Sequence, residues 1–360
     1  MIPLTDSLDG AFDVSDFLIH KNGFIPVPII ITEPALGGFG GGVVPVFIKK
    51  RPPYIDTVRG KLRITKIPPD VTGGAAAITL NNTWFLGVFK AGTIVKSRIK
   101  YTTALAFANI NLSYYRTLEQ VGEKEFKFNI KALPVLLQAI KRIGKSNWYS
   151  GLRYVFVKTV LSNINDSTHA YQFFKSDDYE SIISQLGAIV ELDNRDNIFT
   201  PDRGLKLHAD ASMSDNVLGS SFDFWRFNTY MYWYNKISPK IISGTRLDGQ
   251  QIIGDPPFFI LPYINMRGVE AARYQGNGTA LAEEEIRWDF YRRWSITLFG
   301  GAGKAVDDWK DFGSSEWIAS YGSGFRYLLA RQFSLRTGVD VAKGPDGWTY
   351  YIVFGTSWVK

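Results

Sequence analysis

The residues able to do covalent chemistry are few. The 360-residue sequence has three histidines, His20, His169 and His208, and no cysteine. None of the histidines stands at metal-ligand spacing from another histidine or a carboxylate, so neither a metal nor another cofactor is predicted. His208 falls on the polar face of the strand-like stretch Gly204–Ala211, where a hydrogen bond in a polar interior is its expected use. Nothing pairs any of the three with a particular serine. The Gly-x-Ser-x-Gly turn that raises a nucleophile is missing, as are the glycine-rich loops that cradle phosphates and dinucleotides. The sequence therefore predicts a protein that is not an enzyme. Without cysteine no disulfide or thiolate site can form, which is compatible with a route through a periplasm. What remains is charge on strands and in turns. The cluster Asp193, Arg195, Asp196 and Arg203 reads as a salt-bridged turn that fixes the register of a hairpin.

Many of those charges recur at period two. In Glu285–Phe299, residues Trp288, Phe290, Trp294, Ile296 and Leu298 share one parity, and Glu285, Arg287, Asp289, Arg293, Ser295 and Thr297 the other. In Gln332–Val341, residues Phe333, Leu335, Val339 and Val341 alternate with Gln332, Ser334, Arg336 and Asp340. Such alternation marks strands with one apolar and one polar face. Tryptophan and phenylalanine on one face and full charges on the other predict lipid outside and water inside. Aromatics make up 15% of the chain, as interfacial girdles require. Mean hydropathy is -0.07, which carries no membrane signal because alternation averages out. No run of about 18 apolar residues could cross as a helix. The net charge of +7 fits an interior rich in arginine and lysine, or contact with anionic headgroups. No basic block is dense enough to predict nucleic-acid binding.

The fold class predicted is all-β: a transmembrane, antiparallel, up-and-down barrel of about 16 strands, as an even count near 20 residues per unit implies. Residues 1–34 read as an N-terminal leader, lumenal or periplasmic, and 35–360 as the barrel. Ser7 could cap a short helix in the leader, and Phe24–Ile31 is extended because Pro26 and Pro28 bias their predecessors away from helix. Ala35–Ile48 is the expected first barrel strand and Gly74–Phe89 the next. Trp348–Trp358 is the expected last strand, with Phe354 and Trp358 on its aromatic parity as an assembly signal. Gly40, Gly41 and Gly42 would make the first strand either a labile seam beside the last or a tight curve around a plug. Tight turns at Phe290–Arg293 and Leu329–Gln332 alternate with longer polar loops, which places the short turns in the periplasm. Met1–Asp6 lacks a basic region and an apolar core, so a mature chain with an added Met is expected.

Several motifs resemble the Omp85 superfamily of bacterial surface antigens. Glu191-Leu192-Asp193-Asn194-Arg195-Asp196-Asn197, with Pro201-Asp202-Arg203-Gly204, looks like its central signature. Met266-Arg267-Gly268-Val269, followed by Arg273-Tyr274, Glu284-Glu285 and Arg287, looks like its Val-Arg-Gly-aromatic loop. Ile31–Ala35 and Gly338–Gly344 resemble a branch without POTRA domains. The resemblance covers roughly residues 24 to 358, and implies a BamA-like barrel of 16 strands closed between its first and last. It also implies that the Arg-Gly loop folds inward. An arginine at reduced dielectric needs a carboxylate, and Glu285 and Asp289, on the lumenal parity of the following strand, are the candidate partners of Arg267. The chain departs from the pattern at Val269, where an aromatic is usual, at Gly301, where many members carry an acid, and in the absence of POTRA domains before the barrel.

Three functions stay open on this reading. The first is outer-membrane biogenesis or transport, with protein or lipid passing a lateral seam. The second is a passive or gated pore for small solutes, plugged by the Arg267 loop. The third is a structural or adhesive surface protein, working as a homodimer. The implied location is the outer membrane of a Gram-negative bacterium. The implied partners are outer-membrane lipids, lipopolysaccharide and client proteins or lipids.

Overall fold

The computed structural model describes residues 4–20, 24–49, 54–58, 61–65, 70–118, 122–163 and 180–358. His169 and the side chain of His20 lie outside the described residues. The strands, in chain order, begin with β1 (Phe24–Ile31), β2 (Gly40–Lys49), β3 (Tyr54–Val58), β4 (Lys61–Thr65), β5 (Asp70–Thr79) and β6 (Trp84–Ile94). They continue with β7 (Ile99–Leu118), β8 (Gly122–Arg142), β9 (Trp148–Asn163), β10 (Glu180–Asp193), β11 (Gly204–Ser214) and β12 (Phe224–Ser238). The last are β13 (Ile241–Gly254), β14 (Gly278–Tyr291), β15 (Trp294–Val306), β16 (Ile318–Ala330), β17 (Leu335–Lys343) and β18 (Trp348–Phe354). β3 and β4 form a separate hairpin, and the other strands form one 16-stranded sheet in which each pairs with the next. Its two edges, β1 and β18, approach within 8 Å between Cα atoms, so the sheet curls into a nearly closed barrel. No hydrogen-bonded ladder joins those edges among the described residues. The wall is uneven: β7 and β8 run 20 and 21 residues, β1 and β18 only 8 and 7.

The alternation sorts the side chains as the period requires. Trp288, Leu298, Phe325 and Val339 are exposed on the outside, and Arg287, Thr297, Arg326 and Asp340 are buried inside. The outer coat is apolar elsewhere too, with Trp84, Leu86 and Val88 on β6 and Trp225, Phe227 and Trp233 on β12. One part of the inner wall departs from a polar lumen. Phe126, Phe128, Ile130 and Leu161 cluster there, and beside them Ile183, Phe222, Phe224 and Ile252. A one-turn 3-10 helix, Phe258–Ile260, covers both groups.

The strand boundaries correct the sequence reading in several places. The edge strand is Phe24–Ile31, inside the segment expected to be a leader, and the glycine-dense stretch is the second strand. Proline lacks an N–H and is tolerated where one side of a strand has no ladder to join, so Pro26 and Pro28 mark an edge. Gly74–Phe89 is two strands, because Asn81 accepts from Thr79 and Thr83 and Asn82 turns the chain at φ 62°. β17 starts at Leu335 rather than Gln332, after Ser334 takes a left-handed conformation at φ 52°. The leader helix spans Ser15–His20 and does not start at Ser7.

Gly42 is needed where it stands, since a Cβ there would lie 2.2 Å from the Ala76 carbonyl oxygen, whereas one on Gly41 would meet nothing nearer than 3.8 Å. Gly42→Ala is therefore expected to destabilise the barrel by about 1–3 kcal/mol through overpacking, and Gly41→Ala to change little. Urea unfolding of the two variants in one detergent, followed by tryptophan fluorescence, checks this. Equal midpoints would refute it.

Candidate functional site

The buried parity of five neighbouring strands converges on the segment between β13 and β14. β13 presents Arg246 and Asp248, β14 Glu283 and Glu285, β15 Phe299, β16 Arg326 and β17 Asp340. Arg267 enters this group from the segment. Its Nη1 donates to Glu285 at 2.7 Å, to Asp340 at 3.0 Å and to the Ser357 hydroxyl at 3.1 Å. Its Nε lies 3.8 Å from Glu283, and its guanidinium stacks 3.5 Å from the Phe299 ring centroid. Register explains the stack: Phe299 pairs directly with Glu285, so the ring and the carboxylate stand side by side.

Asp340 and Glu283 each have a second cation. Arg326 grips Asp340 in bidentate fashion at 2.6 and 2.8 Å, and Arg246 binds Glu283 at 2.5 Å and Asp248 at 3.0 Å. Close approach of backbones makes room. A Cβ on Gly324 would fall 1.8 Å from Asp340 Oδ1, and one on Gly301 2.8 Å from Met266 Sδ. Gly301 therefore cannot carry an acid here, and Glu283 supplies the carboxylate. Gly268, at φ +86°, donates its N–H to the Tyr351 hydroxyl of β18 at 2.9 Å. Val269 is buried with Ile264, Met266, Leu281 and Ile318. Farther on, Ala271 N–H donates to Glu33, just past β1, at 3.0 Å. One segment thus touches the inner wall and both edge strands or their flanks. Nothing in it is nucleophilic; its chemistry is immobilisation by paired charge.

Of the two candidate partners of Arg267, the structure brings in Glu285 and keeps Asp289 away. Asp289 accepts instead from Arg287 at 3.1 Å, Ser295 at 2.7 Å and Arg336 at 3.1 Å, four residues and about 13 Å farther along the strand. Asp340 and Glu283 were missed. Asp340 lay within a motif already noted, and Glu283 shares the parity of Glu285.

The turn signature is more than a hairpin. Arg195 binds Asp193 at 2.9 and 2.8 Å, Asp202 N–H donates to Asp196 at 3.0 Å, and Pro201 is buried. Gly204 holds φ +112° against the Arg195 backbone. From this turn Asn197 reaches the Phe333 carbonyl at 2.9 Å, and Asp202 binds Arg287 of β14 and Lys236 of β12. The turn therefore crosses from β10–β11 to strands well around the barrel. Gly40–Gly42 lie between β1 and β5, away from the sheet edge. Phe354 ends β18. Trp358 is not on the outer face: Gly355 turns the chain at φ +82°, and Trp358 is buried 6.0 and 5.9 Å from the Tyr232 and Tyr234 rings. A lone glycine there was the available signal. His208 hydrogen-bonds Asp210 at 2.8 Å in the interior.

A second ionic cluster was missed altogether. Residues 4–14 form a loop whose Asp6, Asp9 and Asp13 surround Arg293, in the β14–β15 turn, at 2.6, 2.7 and 2.5 Å. Arg331, in the β16–β17 turn, also binds Asp6, and its N–H donates to Asp13 at 3.0 Å. The Tyr327 hydroxyl donates to the Phe12 carbonyl at 2.7 Å. Arg331 and the Leu8 N–H hold the Asp6 carboxyl well below the aspartate value, and Arg293 and the Ala11 N–H lower that of Asp9. The loop ties the chain that leads into β1 to turns on the β18 side of the gap.

No protein-family model and no curated protein matches the sequence. Solved structures do match the fold. The BamA barrel of Haemophilus ducreyi lacking POTRA domains 1–3 superposes with a TM-score of 0.62 at 11% identity, covering 92% of this chain and 69% of that one. CdiB from Escherichia coli gives 0.60 at 9% identity, over 92% of this chain and 62% of its own. CdiB from Acinetobacter baumannii gives 0.56 at 10% identity, over 92% and 59%. The chain thus has a 16-stranded barrel of the same fold as these proteins. In particular it has the barrel fold of BamA and CdiB, and it spans less than two thirds of either CdiB chain.

Arg267→Ala leaves Glu285 short of its cation and is expected to cost about 3–5 kcal/mol, the range for breaking a buried pair. Asp289→Asn should leave the segment in place. Protease cutting within residues 255–277 reports both, and equal resistance of Arg267→Ala and wild type would refute the pinning. The aspartate loop has its own test. Because Asp6 and Asp9 titrate lower when folded, their contribution is complete above the ordinary value of 3.8 and lost as pH falls below it. Amide protection over residues 4–14 is expected to persist to about pH 4 and then fall, and Arg293→Gln should remove it at neutral pH. Protection that survives Arg293→Gln would show that the loop is held by something else.

Proposed function

We propose that the protein is an integral outer-membrane barrel of a Gram-negative bacterium that inserts or translocates protein or lipid through a lateral seam between β1 and β18. One observation carries this reading: two sheet edges lie side by side without a ladder between them among the described residues. Unpaired edge groups are a template for another strand, and in hydrocarbon they need a partner. The exposed aromatic and aliphatic coat supports the membrane location. The likeness to BamA and CdiB supports the class of work. Outer-membrane lipids, lipopolysaccharide and client chains are the partners this reading implies. It needs no catalytic step and no cofactor.

The pore reading is the weaker one, and the contacts of Arg267 with Asp340, of Asp202 with Arg287 and of Trp358 with Tyr232 and Tyr234 weigh against an open lumen.

The test is a cysteine lock, with one cysteine scanned along Phe24–Ile31 and the other along Trp348–Phe354. In vesicles, oxidised pairs are expected to abolish delivery of a barrel or lipid substrate and reduced pairs to restore it. Full activity of an oxidised, verified cross-link would sink the seam. Steady wild-type conductance in a planar bilayer, little changed by Arg267→Ala, would establish the pore instead.

A further inference from the structure

The apolar part of the inner wall holds a cavity of about 370 Å³. That is the size of a small-molecule site, and it belongs to neither ionic cluster. One side is hydrocarbon: Ile110 and Ile130 from β7 and β8, Val157 from β9, Ile183 from β10, and Phe259 from the covering turn. The other side is polar and carries an excess of positive charge. Arg153 donates to Asp210 at 3.2 Å, and Asp210 also accepts from His208 at 2.8 Å and Asn228 at 2.9 Å. Asp210 thus accepts from three side chains, none of them Arg226. Arg226 feels the charge of Asp210 but makes no ion pair with it: its Nη2 donates to the Ile260 carbonyl, and its Nε is buried with no hydrogen-bond partner.

A buried guanidinium nitrogen without an acceptor costs free energy that an anion in the cavity would recover. A hydrated inorganic ion satisfies the nitrogen but leaves the hydrocarbon side in contact with water. A neutral hydrocarbon does the reverse. We propose that this cavity binds a single-chain amphiphile with an anionic head, its chain along Ile110, Ile130 and Ile183 and its head on Arg226. The Phe258–Ile260 turn forms the roof, so the bound molecule joins the start of the Arg267 segment to the wall formed by β7 to β12. The site stands apart from the seam reading, since it requires only the interior described above.

The probes are dodecanoate, dodecanol and inorganic phosphate. Each is titrated into the full-length barrel in an uncharged detergent, and retained adducts are read by native mass spectrometry. One dodecanoate per barrel is expected, with dodecanol weaker by about tenfold or more, the scale of a hydrogen bond to a charged group. Phosphate alone should not be retained. Arg226→Gln keeps a donor for the Ile260 carbonyl and is expected to lower dodecanoate retention to the dodecanol level. Ala132→Leu fills the cavity from β8 and should abolish retention of both chains. Ala211→Leu, on the outer face of β11, should change nothing, which separates the cavity from the detergent belt. Heat-shifted gel mobility confirms that each variant folds. Equal retention of acid and alcohol overturns the proposal, as do retention of phosphate or indifference to Arg226→Gln and Ala132→Leu.

Discussion

A guanidinium inside a barrel must be neutralised where it stands, and the rest of the interior follows from how this chain does it. Asp340 is fully buried and held by Nη1 and Nη2 of Arg326, and only with that pair in place does the wall offer an oriented oxygen to Arg267. Charge-assisted and bidentate bonds are strong because the donors and acceptors are planar and preset. Burying ions remains expensive, so such a network confers position more than stability. Here the position matters. Arg267 fixes Gly268 under Tyr351 and brings Ala271 to Glu33, so a group on the wall decides where the flanks of the two edge strands meet.

The gap is therefore closed by polar ties at its two ends. At one end is the Arg267 segment; at the other, the aspartate loop on Arg293 and Arg331. A ladder of backbone hydrogen bonds, each worth about 0.5–1.5 kcal/mol net, would add up along the strands and give way only as a unit. Discrete ties can be undone one at a time and by different means. The loop on Arg293 is open to acid through Asp6 and Asp9, whereas Arg267 sits among buried groups of the barrel wall. Trp358 adds to the arrangement by drawing the end of the chain inward at Gly355, which limits β18 to seven residues.

Much of the barrel could be read from the sequence, because period two is a local property and strands such as β14 and β15 carry it without interruption. Reading failed where the chain broke a pattern while keeping its composition. Pro26 and Pro28 marked Phe24–Ile31 as extended but not as part of the sheet, where they sit in an edge strand that tolerates them. The parity of Ile78 and Leu86 ran straight through the Asn81-Asn82 turn, so two strands read as one. At the site, Glu285 was accessible because it shares a strand face with its neighbours and follows the Arg-Gly motif closely. Asp340 comes from a strand 73 residues beyond Arg267, and Asp6 lies 287 residues from Arg293. Neither distance leaves a trace in spacing. Trp358 shows the complementary limit: its parity was that of an outer residue until one left-handed glycine reversed it.

The unequal strands have a mechanical meaning for the surrounding bilayer. A strand crossing hydrocarbon at a tilt needs about 9–11 residues. β7 and β8 exceed this twofold, while β1 and β18 fall short at 8 and 7. Lipid meeting a wall that is too low must thin, at a cost of fractions of a kcal/mol for each ångström of mismatch. In the outer-membrane setting proposed above, the leaflets would be drawn together at β1 and β18 and not near β7 and β8. The same short strands that form the two edges would then set a local weakness in the membrane beside them.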